Sequence, residues 1–169
     1  MKRLHYIFIL VVISSLLAGC TSVSKEKVDV QITGDTQYNP NLKRVHVAGK
    51  SNLEAGTILT LFVEGEEFER DIKVAPRGYF KTMFIRDNSI EGQLIIRLDP
   101  RKQTKELQEK YGERGENLQG TLVEYEENGN TYKTIEAYSL LSKVAEEIWD
   151  QKGGVQEVLY NGCSRQDCK

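Results

Sequence analysis

Beyond its N-terminal region, the chain alternates short apolar runs with turn-forming residues. Gly, Pro, Asn and Asp recur about every ten residues between these runs, a spacing typical of short antiparallel strands in a sandwich or small barrel. Gly34–Asn41 combines several such residues and is predicted to be a loop. The predicted strands are Val28–Ile32, Arg44–Val47, Ile58–Val63, Phe68–Val74, Tyr79–Ile85, Gln93–Leu98 and Val155–Leu159.

The clearest single turn signal is Asn128-Gly129, because both positions of a tight hairpin turn need positive φ. A two-residue turn at this point fixes the register and places Tyr125 opposite Tyr132. Neither face of the resulting hairpin is wholly apolar, so we predict that it lies at a sheet edge. Its exposed tyrosine pair is the candidate interaction surface, since tyrosine offers apolar area with a polar tip.

Two stretches have helical periodicity instead. Thr104–Tyr111 is rich in Lys, Glu, Leu and Gln, and it predicts a short surface helix that Gly112 stops. A second, amphipathic helix is predicted near the C-terminus, with Ser139 as N-cap and Gly153-Gly154 as stop. We expect its apolar stripe to pack on the sheet. That stripe consists of Leu141, Val144, Ala145, Ile148 and Trp149.

The N-terminal segment has one long apolar run in place of alternation. Lys2 and Arg3 precede the unbroken apolar stretch Tyr6–Ile13, which is too short to span a bilayer comfortably. This order is typical of a signal peptide. Thr21–Lys27 follows with small or charged residues and no apolar period, so we expect it to be a tether.

The end of this segment, Leu17-Ala18-Gly19-Cys20, resembles the lipobox of bacterial lipoproteins. The resemblance implies cleavage between Gly19 and Cys20 and a diacylglyceryl group on the Cys20 thiol. An uncleaved anchor, or a secretory signal with a chance cysteine, is the alternative. The predicted organisation is a signal peptide over residues 1–19, a lipidated tether over 20–27 and one domain over 28–169.

Charge does not explain membrane anchoring. The chain has 23 Lys and Arg against 25 Asp and Glu, a net charge of −2, and loss of Lys2 and Arg3 with the signal peptide leaves 21 against 25, or −4. Mild acidity argues against nucleic acid as a partner and against adsorption on anionic headgroups. We therefore expect the covalent lipid on Cys20 to hold the domain at the membrane.

Two more cysteines, Cys163 and Cys168, lie close together near the C-terminus. Outside the cytoplasm such a pair most simply forms one small disulfide loop, and two free thiols are the alternative. A metal site is disfavoured, because the chain after Cys20 has a single His and two thiolates fall short of the usual four ligands. We expect no metal and no cofactor.

A second resemblance rests on Val45-His46-Val47-Ala48-Gly49-Lys50-Ser51-Asn52-Leu53-Glu54-Ala55-Gly56-Thr57. This segment resembles a turn in uncharacterised bacterial exported domains with an immunoglobulin-like or transthyretin-like sandwich, in which Pro-Asp stands where this chain has Glu54-Ala55. The similarity implies an immunoglobulin-like sandwich. Together with the strand and helix patterns above, it gives the predicted fold: mainly β, an antiparallel immunoglobulin-like β-sandwich with one short surface helix and one C-terminal amphipathic helix. Its motifs are structural and imply no activity. Within the turn, we expect Asn52 to bond its own backbone two residues on.

Catalytic chemistry is hard to find in this sequence. His46, on a predicted strand, has no nucleophile or orienting partner visible in the sequence. An acidic run around Gly65 would serve glycoside hydrolysis only if two of its carboxylates flanked a sugar cleft, and a solvated turn explains it more simply. The run consists of Glu64, Glu66, Glu67 and Glu69. We predict no catalytic residue.

The sequence thus favours a binding module anchored on the extracytoplasmic side of a bacterial membrane, the outer membrane if the cell has one. Its expected partner is another envelope protein or an extracellular ligand. Two alternatives are a hydrolase of envelope polymers that uses the acidic run, and a structural spacer in an envelope assembly.

Overall fold

The computed structural model describes residues 26–39, 41–86, 92–141 and 156–161. The strands in this part of the chain are β1 (Val28–Asp29), β2 (Ile32–Asn39), β3 (Arg44–Ser51), β4 (Ile58–Val63), β5 (Glu69–Lys73), β6 (Tyr79–Ile85), β7 (Gly92–Leu98), β8 (Leu118–Gln119), β9 (Leu122–Glu127), β10 (Asn130–Leu141) and β11 (Gln156–Tyr160). One α-helix, α1 (Lys105–Tyr111), and two 3₁₀ turns, Pro76–Gly78 and Pro100–Lys102, complete the described elements.

Nine of the described strands hydrogen-bond into one antiparallel sheet. Its strand order is β5-β4-β7-β10-β11-β2-β3-β6, with β9 added to β10, while β1 and β8 form a separate parallel pair. The two ends of this order meet: the Phe68 ring stacks on Phe84 of β6 with centroids 4.5 Å apart, and Arg70 Nη1 donates to the Met83 carbonyl at 2.5 Å. The sheet therefore curls into a sandwich-like body around one core.

The core lies on the inner face of the curled sheet. Alternate residues of the central strands, including Leu59 and Leu61 of β4 and Leu94 and Ile96 of β7, are fully buried. Burial of each such side chain contributes about 1.5–3 kcal/mol, so this face holds the sheet closed. The side chains between them point to the outer face, where Thr60 and Ile95 are also buried and Arg97 is partly exposed.

The mainly β, antiparallel prediction is confirmed. Ile58–Val63 and Tyr79–Ile85 have the predicted bounds, and the predicted last strand at Val155–Leu159 is β11, one residue further on. The hairpin register is also confirmed, with Tyr125 paired to Tyr132 around Asn128 and Gly129, whose φ values are 52° and 73°. The turn sequence therefore determined the local pairing.

The short helix is confirmed as α1. The Thr104 side chain accepts a hydrogen bond from the Leu107 amide, and Gly112 follows the helix with φ 85°. Leu107 and Tyr111 are buried, because one side of this surface helix packs on the core. Within the described part of the chain, no helix is long and apolar enough to cross a bilayer.

The predicted loop at Gly34–Asn41 is wrong over most of its length. β2 extends to Asn39 and pairs with β3 throughout. Gly34 lies opposite Gly49, and a Cβ at Gly34 would come within 2.4 Å of the Ala48 carbonyl oxygen. Glycine therefore serves a close approach of two strands here, not a turn.

Ser139 is not a helix N-cap, and that prediction is also wrong. It lies inside β10, where its hydroxyl is 2.7 Å from the hydroxyl of Thr36 on β2 in the buried interior. Leu141, the first apolar residue of the predicted C-terminal helix, is the last residue of β10. The rest of that predicted helix, including Trp149, lies outside the described residues.

Asn52 bonds distant backbone, not the backbone of its own turn. Its Nδ2 donates to the Asp29 carbonyl at 2.6 Å, and its Oδ1 accepts from the Gln31 amide at 2.9 Å. Asn161 does the same one residue along, donating to the Val30 carbonyl at 2.7 Å and accepting from the Ile32 amide at 3.2 Å. We call this pair of side chains on the segment Asp29–Ile32 the asparagine clasp.

Candidate functional site

Three residues of the predicted acidic run, Glu66, Glu67 and Glu69, line an open hollow of about 490 Å³ on the outer face of the sheet, beside the predicted tyrosine pair. Arg101 lines this hollow and also covers both tyrosine rings. We use the name outer-face cluster for Phe62, Arg97, Asp99, Arg101, Tyr125 and Tyr132. The hollow is lined by Thr60, Phe62, Glu66, Glu67, Phe68, Glu69, Arg97, Asp99, Arg101 and Lys102.

Strand register builds the first half of the cluster. Arg97 of β7 pairs with Thr60 of β4 on one side and with Glu136 of β10 on the other. Because side chains alternate along β7, Arg97 points away from the core that Ile96 and Leu98 enter. A charged residue in this apolar strand therefore reaches the outer face.

The Arg97 guanidinium is held by a buried carboxylate. Its Nε and Nη2 lie 2.7 and 2.6 Å from Oε1 of Glu136, which is only 2% exposed. The Tyr138 hydroxyl donates to the other oxygen, Oε2, at 2.7 Å. The guanidinium lies 4.7 Å from the Phe62 ring centroid, within cation–π range. Arg97 is thus fixed in position while its side chain remains 32% exposed.

Arg101 is held in the same way by Asp99. Its Nε and Nη2 donate to the two Asp99 oxygens at 3.1 and 2.7 Å, and Nη1 donates to Glu127. Asp99 is buried and also accepts from the Arg101 amide at 2.9 Å, which caps the 3₁₀ turn. Pro100 begins this turn, and the turn brings the Arg101 side chain back over Asp99.

The two tyrosines stack beneath Arg101. Their centroids are 5.6 Å apart, and the guanidinium lies 5.0 Å from the Tyr125 centroid and 4.6 Å from that of Tyr132. The Tyr125 hydroxyl donates to Asp99 Oδ2 at 3.2 Å. The rings are half-buried, so the freely exposed pair expected from the sequence is instead one layer of a larger stack.

The protonation states of the cluster follow from these contacts. Burial by itself would raise the pKa of Asp99, but the hydrogen bonds and charge of Arg101, with the Tyr125 hydroxyl, hold that pKa below its usual value. Burial and the charge of Asp99 raise the pKa of Tyr125 to about 12. The hydrogen bond to Asp99 raises the pKa of Arg101. At neutral pH, Asp99 and Arg101 therefore form an ion pair, and Tyr125 is a neutral phenol that donates a hydrogen bond to Asp99.

Two of the four residues of the acidic run, Glu66 and Glu69, form ion pairs. Glu66 Oε1 accepts from Arg86 Nη2 at 2.7 Å and Nε at 3.0 Å, and Glu69 pairs with Lys102. A glycoside hydrolase needs one carboxyl that keeps its proton until transfer to the leaving group. Carboxylates paired with cations suit a structural or recognition role better.

The other candidate residues lie apart from the cluster or outside the described ranges. Glu64 is exposed directly after β4, and His46 is exposed on β3 opposite Met83. Gly19, Cys20, Cys163 and Cys168 are outside the described residues, so cleavage, lipidation and the disulfide remain predictions. Among residues 26–39, 41–86, 92–141 and 156–161, no group of three or more His, Cys, Asp or Glu is placed to hold a metal ion.

Sequence reasoning missed the charged members of the cluster. Arg97 and Glu136 each interrupt an apolar strand, in Leu-Ile-Ile-Arg-Leu and Thr-Ile-Glu-Ala-Tyr. A charged residue in such an apolar strand needs a partner of opposite charge, and Arg97 and Glu136 can serve as partners for each other. That signal points to a cross-strand ion pair, but only the fold shows that it lies beside the tyrosines.

Comparisons of this chain with protein-family models, with curated proteins and with solved structures found no match. The site is therefore interpreted from its own chemistry.

Proposed function

We propose that this protein is a lipid-anchored binding module of the bacterial cell envelope. In this proposal, Cys20 carries the lipid and the outer-face cluster contacts an envelope protein or extracellular ligand on the extracytoplasmic side. The lipobox resemblance of Leu17–Cys20 supports the anchor. The antiparallel, sandwich-like fold supports an immunoglobulin-like scaffold, which remains part of the proposal.

The observation that carries the binding role is the immobilisation of two half-exposed arginines. Arg97 and Arg101 are each fixed by a buried carboxylate and by aromatic rings before any partner arrives. Ordering a long side chain on binding costs about 0.5–1.5 kcal/mol, so prior fixation favours association. Arg and Tyr are also the residue types most enriched at the energetic centres of protein interfaces.

A photo-crosslinking experiment tests this surface. A photoreactive phenylalanine analogue at Tyr132 should crosslink the partner in intact cells, because that position borders the exposed Arg101. The matched control is the same analogue at Thr131, which is exposed on the opposite face of the same strand. A partner band at both positions, or at Thr131 alone, would reject the outer-face cluster as the interface.

The strength of the interaction is tested by substitution. Replacing Tyr125 and Tyr132 together with Ser removes the stack under Arg101. Pull-down of the partner identified by crosslinking should then fall at least about tenfold, as expected for loss of an interface centre. Circular dichroism and urea unfolding check that the fold persists. Unchanged capture by a folded variant would contradict the proposal.

The anchor has a separate test. Cys20→Ser removes the only thiol that the lipobox-like segment offers for acylation, so the variant should appear unprocessed or released from membranes. Membrane fractionation and intact mass spectrometry of the native protein give the result. Normal retention of Cys20→Ser, or a native N-terminus without acyl groups, would end the lipoprotein assignment.

A further inference from the structure

Exposed apolar side chains are concentrated at one edge of the sheet. Among the described residues, the large apolar side chains that are exposed are Leu42 at 56%, Tyr79 at 54%, Met83 at 41% and Ile85 at 71%. Three of these lie on β6 at odd-numbered positions, so they share its outer face. Leu42 extends the strip, because the adjoining Lys43 carbonyl accepts from the Arg86 amide at 2.8 Å, just past Ile85.

Basic residues flank this strip along its length. In the register of β3 with β6, Arg44 lies beside Ile85, and Lys50 lies beside Tyr79 with its Nζ 5.6 Å from the ring centroid. Lys81 lies between Tyr79 and Met83 on the same face of β6. Lys50, Lys81 and Lys73 of β5 line one open hollow of about 770 Å³ beside Tyr79.

The local charge of this surface is opposite to that of the whole chain. The hollow beside Tyr79 is lined by Lys50, Lys73 and Lys81 and by one carboxylate, Asp35, for a charge of 3 − 1 = +2, whereas the chain carries −2. A fourth cation, Arg44, lies further along β3 beside Ile85. None of these four cations forms an ion pair with another described residue. We call the four cations together with Leu42, Tyr79, Met83 and Ile85 the basic–apolar patch.

We propose that the basic–apolar patch docks onto the surface of an anionic lipid bilayer. Exposed apolar side chains enter the boundary between headgroups and acyl chains, and flanking Lys and Arg side chains lie beside the phosphates, as at other interfacial membrane surfaces. The single tyrosine at the end of the strip suits the headgroup level, where amphipathic rings accumulate. Net acidity of the chain does not oppose this contact, because screening confines the attraction to charges within about 10 Å of the surface.

This inference goes beyond the proposed anchor. Acyl chains on Cys20 would keep the domain near the bilayer in any orientation, whereas the patch selects one orientation. It relies on the proposed function only for the presence of a membrane nearby, and its residues are not shared with the anchor or with the outer-face cluster.

Lysine acetylation footprinting of the full protein tests the proposal. Protein purified from membranes is placed in nanodiscs of phosphatidylcholine alone or of phosphatidylcholine with phosphatidylglycerol, and acetylation of each lysine is read by mass spectrometry. Labelling of Lys50, Lys73 and Lys81 should fall roughly threefold or more in the anionic nanodiscs and recover in high salt. Lys105, exposed at the start of α1, is the internal control and should not change.

Two variants separate the apolar and the charge contributions. Met83→Ser with Ile85→Ser should abolish the protection of the three lysines, and Lys81→Glu should do so for Lys50 and Lys73. Lys105→Glu makes the same charge change outside the patch and should leave the protection intact. Equal labelling of the wild type in the two nanodisc types would overturn the proposal, as would protection that depends only on protein concentration, which indicates a second copy of the chain.

The same samples distinguish this inference from the proposed anchor. Intact mass reports acylation of Cys20 independently of the lysines. Acylated protein with unprotected lysines would overturn the patch and keep the anchor. Unacylated protein whose lysines are still protected on anionic nanodiscs would overturn the anchor and keep the patch.

Discussion

At the scale of single residues, the described structure depends on charged groups that are buried only with partners. Glu136 is held by Arg97 and Tyr138, and Asp99 by Arg101 and Tyr125. Removing one partner of a buried ion pair leaves an uncompensated charge and is strongly destabilising. The outer-face cluster is therefore part of the stability of the domain as well as its candidate surface.

Because Asp99 is ionisable, its contribution to the free energy of unfolding depends on pH. Its pKa in the folded protein lies below the ordinary value of 3.8, so its charged form stabilises the fold above that pH. The contribution is lost as pH falls below 3.8 toward the lower folded-state pKa. We predict that Asp99→Asn lowers the free energy of unfolding at neutral pH and that the difference from wild type shrinks in strongly acidic solution.

Urea unfolding at a series of pH values measures that difference. Glu126→Gln, at an exposed position of the same hairpin, is the matched control and should have little effect at any pH. A penalty for Asp99→Asn that stayed constant down to the most acidic point would show that the ionised carboxylate is not what stabilises the turn.

At the scale of elements, glycines with positive φ mark the tight turns, and they differ in their surroundings. Gly129 has φ 73° and no atom within 4 Å of an added Cβ. Gly78 has φ 82°, and an added Cβ would lie 1.9 Å from the Ser51 carbonyl oxygen of β3. The hairpin turn thus needs only the backbone freedom of glycine, whereas the turn before β6 also needs its small size.

Alanine at these two positions separates the two requirements. Gly129→Ala should cost about 1–2 kcal/mol of unfolding free energy, the penalty for left-handed backbone in a residue with Cβ. Gly78→Ala should cost a further 1–3 kcal/mol, roughly the penalty for overpacking, because strand β3 must move. Urea unfolding of both variants provides the comparison, and equal penalties would show that the turn before β6 relaxes freely.

Elements whose pairing is set locally were predictable from the sequence. Asn128-Gly129 fixed the register of β9 and β10, and Thr104 with Gly112 bounded α1. β2 was not predictable in full, because Gly34 has turn chemistry and only its non-local partner Gly49 shows that it belongs to a strand. Arg97 and Glu136 lie on strands that are distant in sequence. The sequence therefore predicted the tyrosines of the candidate site but not this ion pair.

At the scale of the whole molecule, the order of strands in the sheet determines which residues form each surface. The outer-face cluster lies on β4, β7, β9 and β10 and on the turn after β7, whereas the basic–apolar patch lies mainly on β3 and β6. The two proposals therefore use separate residues and are tested separately.

Closure of the sheet is tested at the seam between its end strands. Phe84, which stacks on Phe68, is buried, and Phe84→Ala should lower the free energy of unfolding by about 3–5 kcal/mol. Hydrogen exchange should rise first in β5 and β6, the two ends of the strand order, and remain slow in β7. Uniform acceleration across all three strands would indicate that the seam is not a separate weak point.

The asparagine clasp has a mechanical consequence for a domain held at its N-terminal end. Under the proposed anchor, a pull from the tether first reaches β1, which pairs with β8, and then Asp29–Ile32, where Asn52 and Asn161 bind alternating backbone groups. Because these two side chains come from distant parts of the chain, the load spreads at once into β3 and into the end of β11. The domain would therefore resist mechanical unfolding that starts at its N-terminal strand.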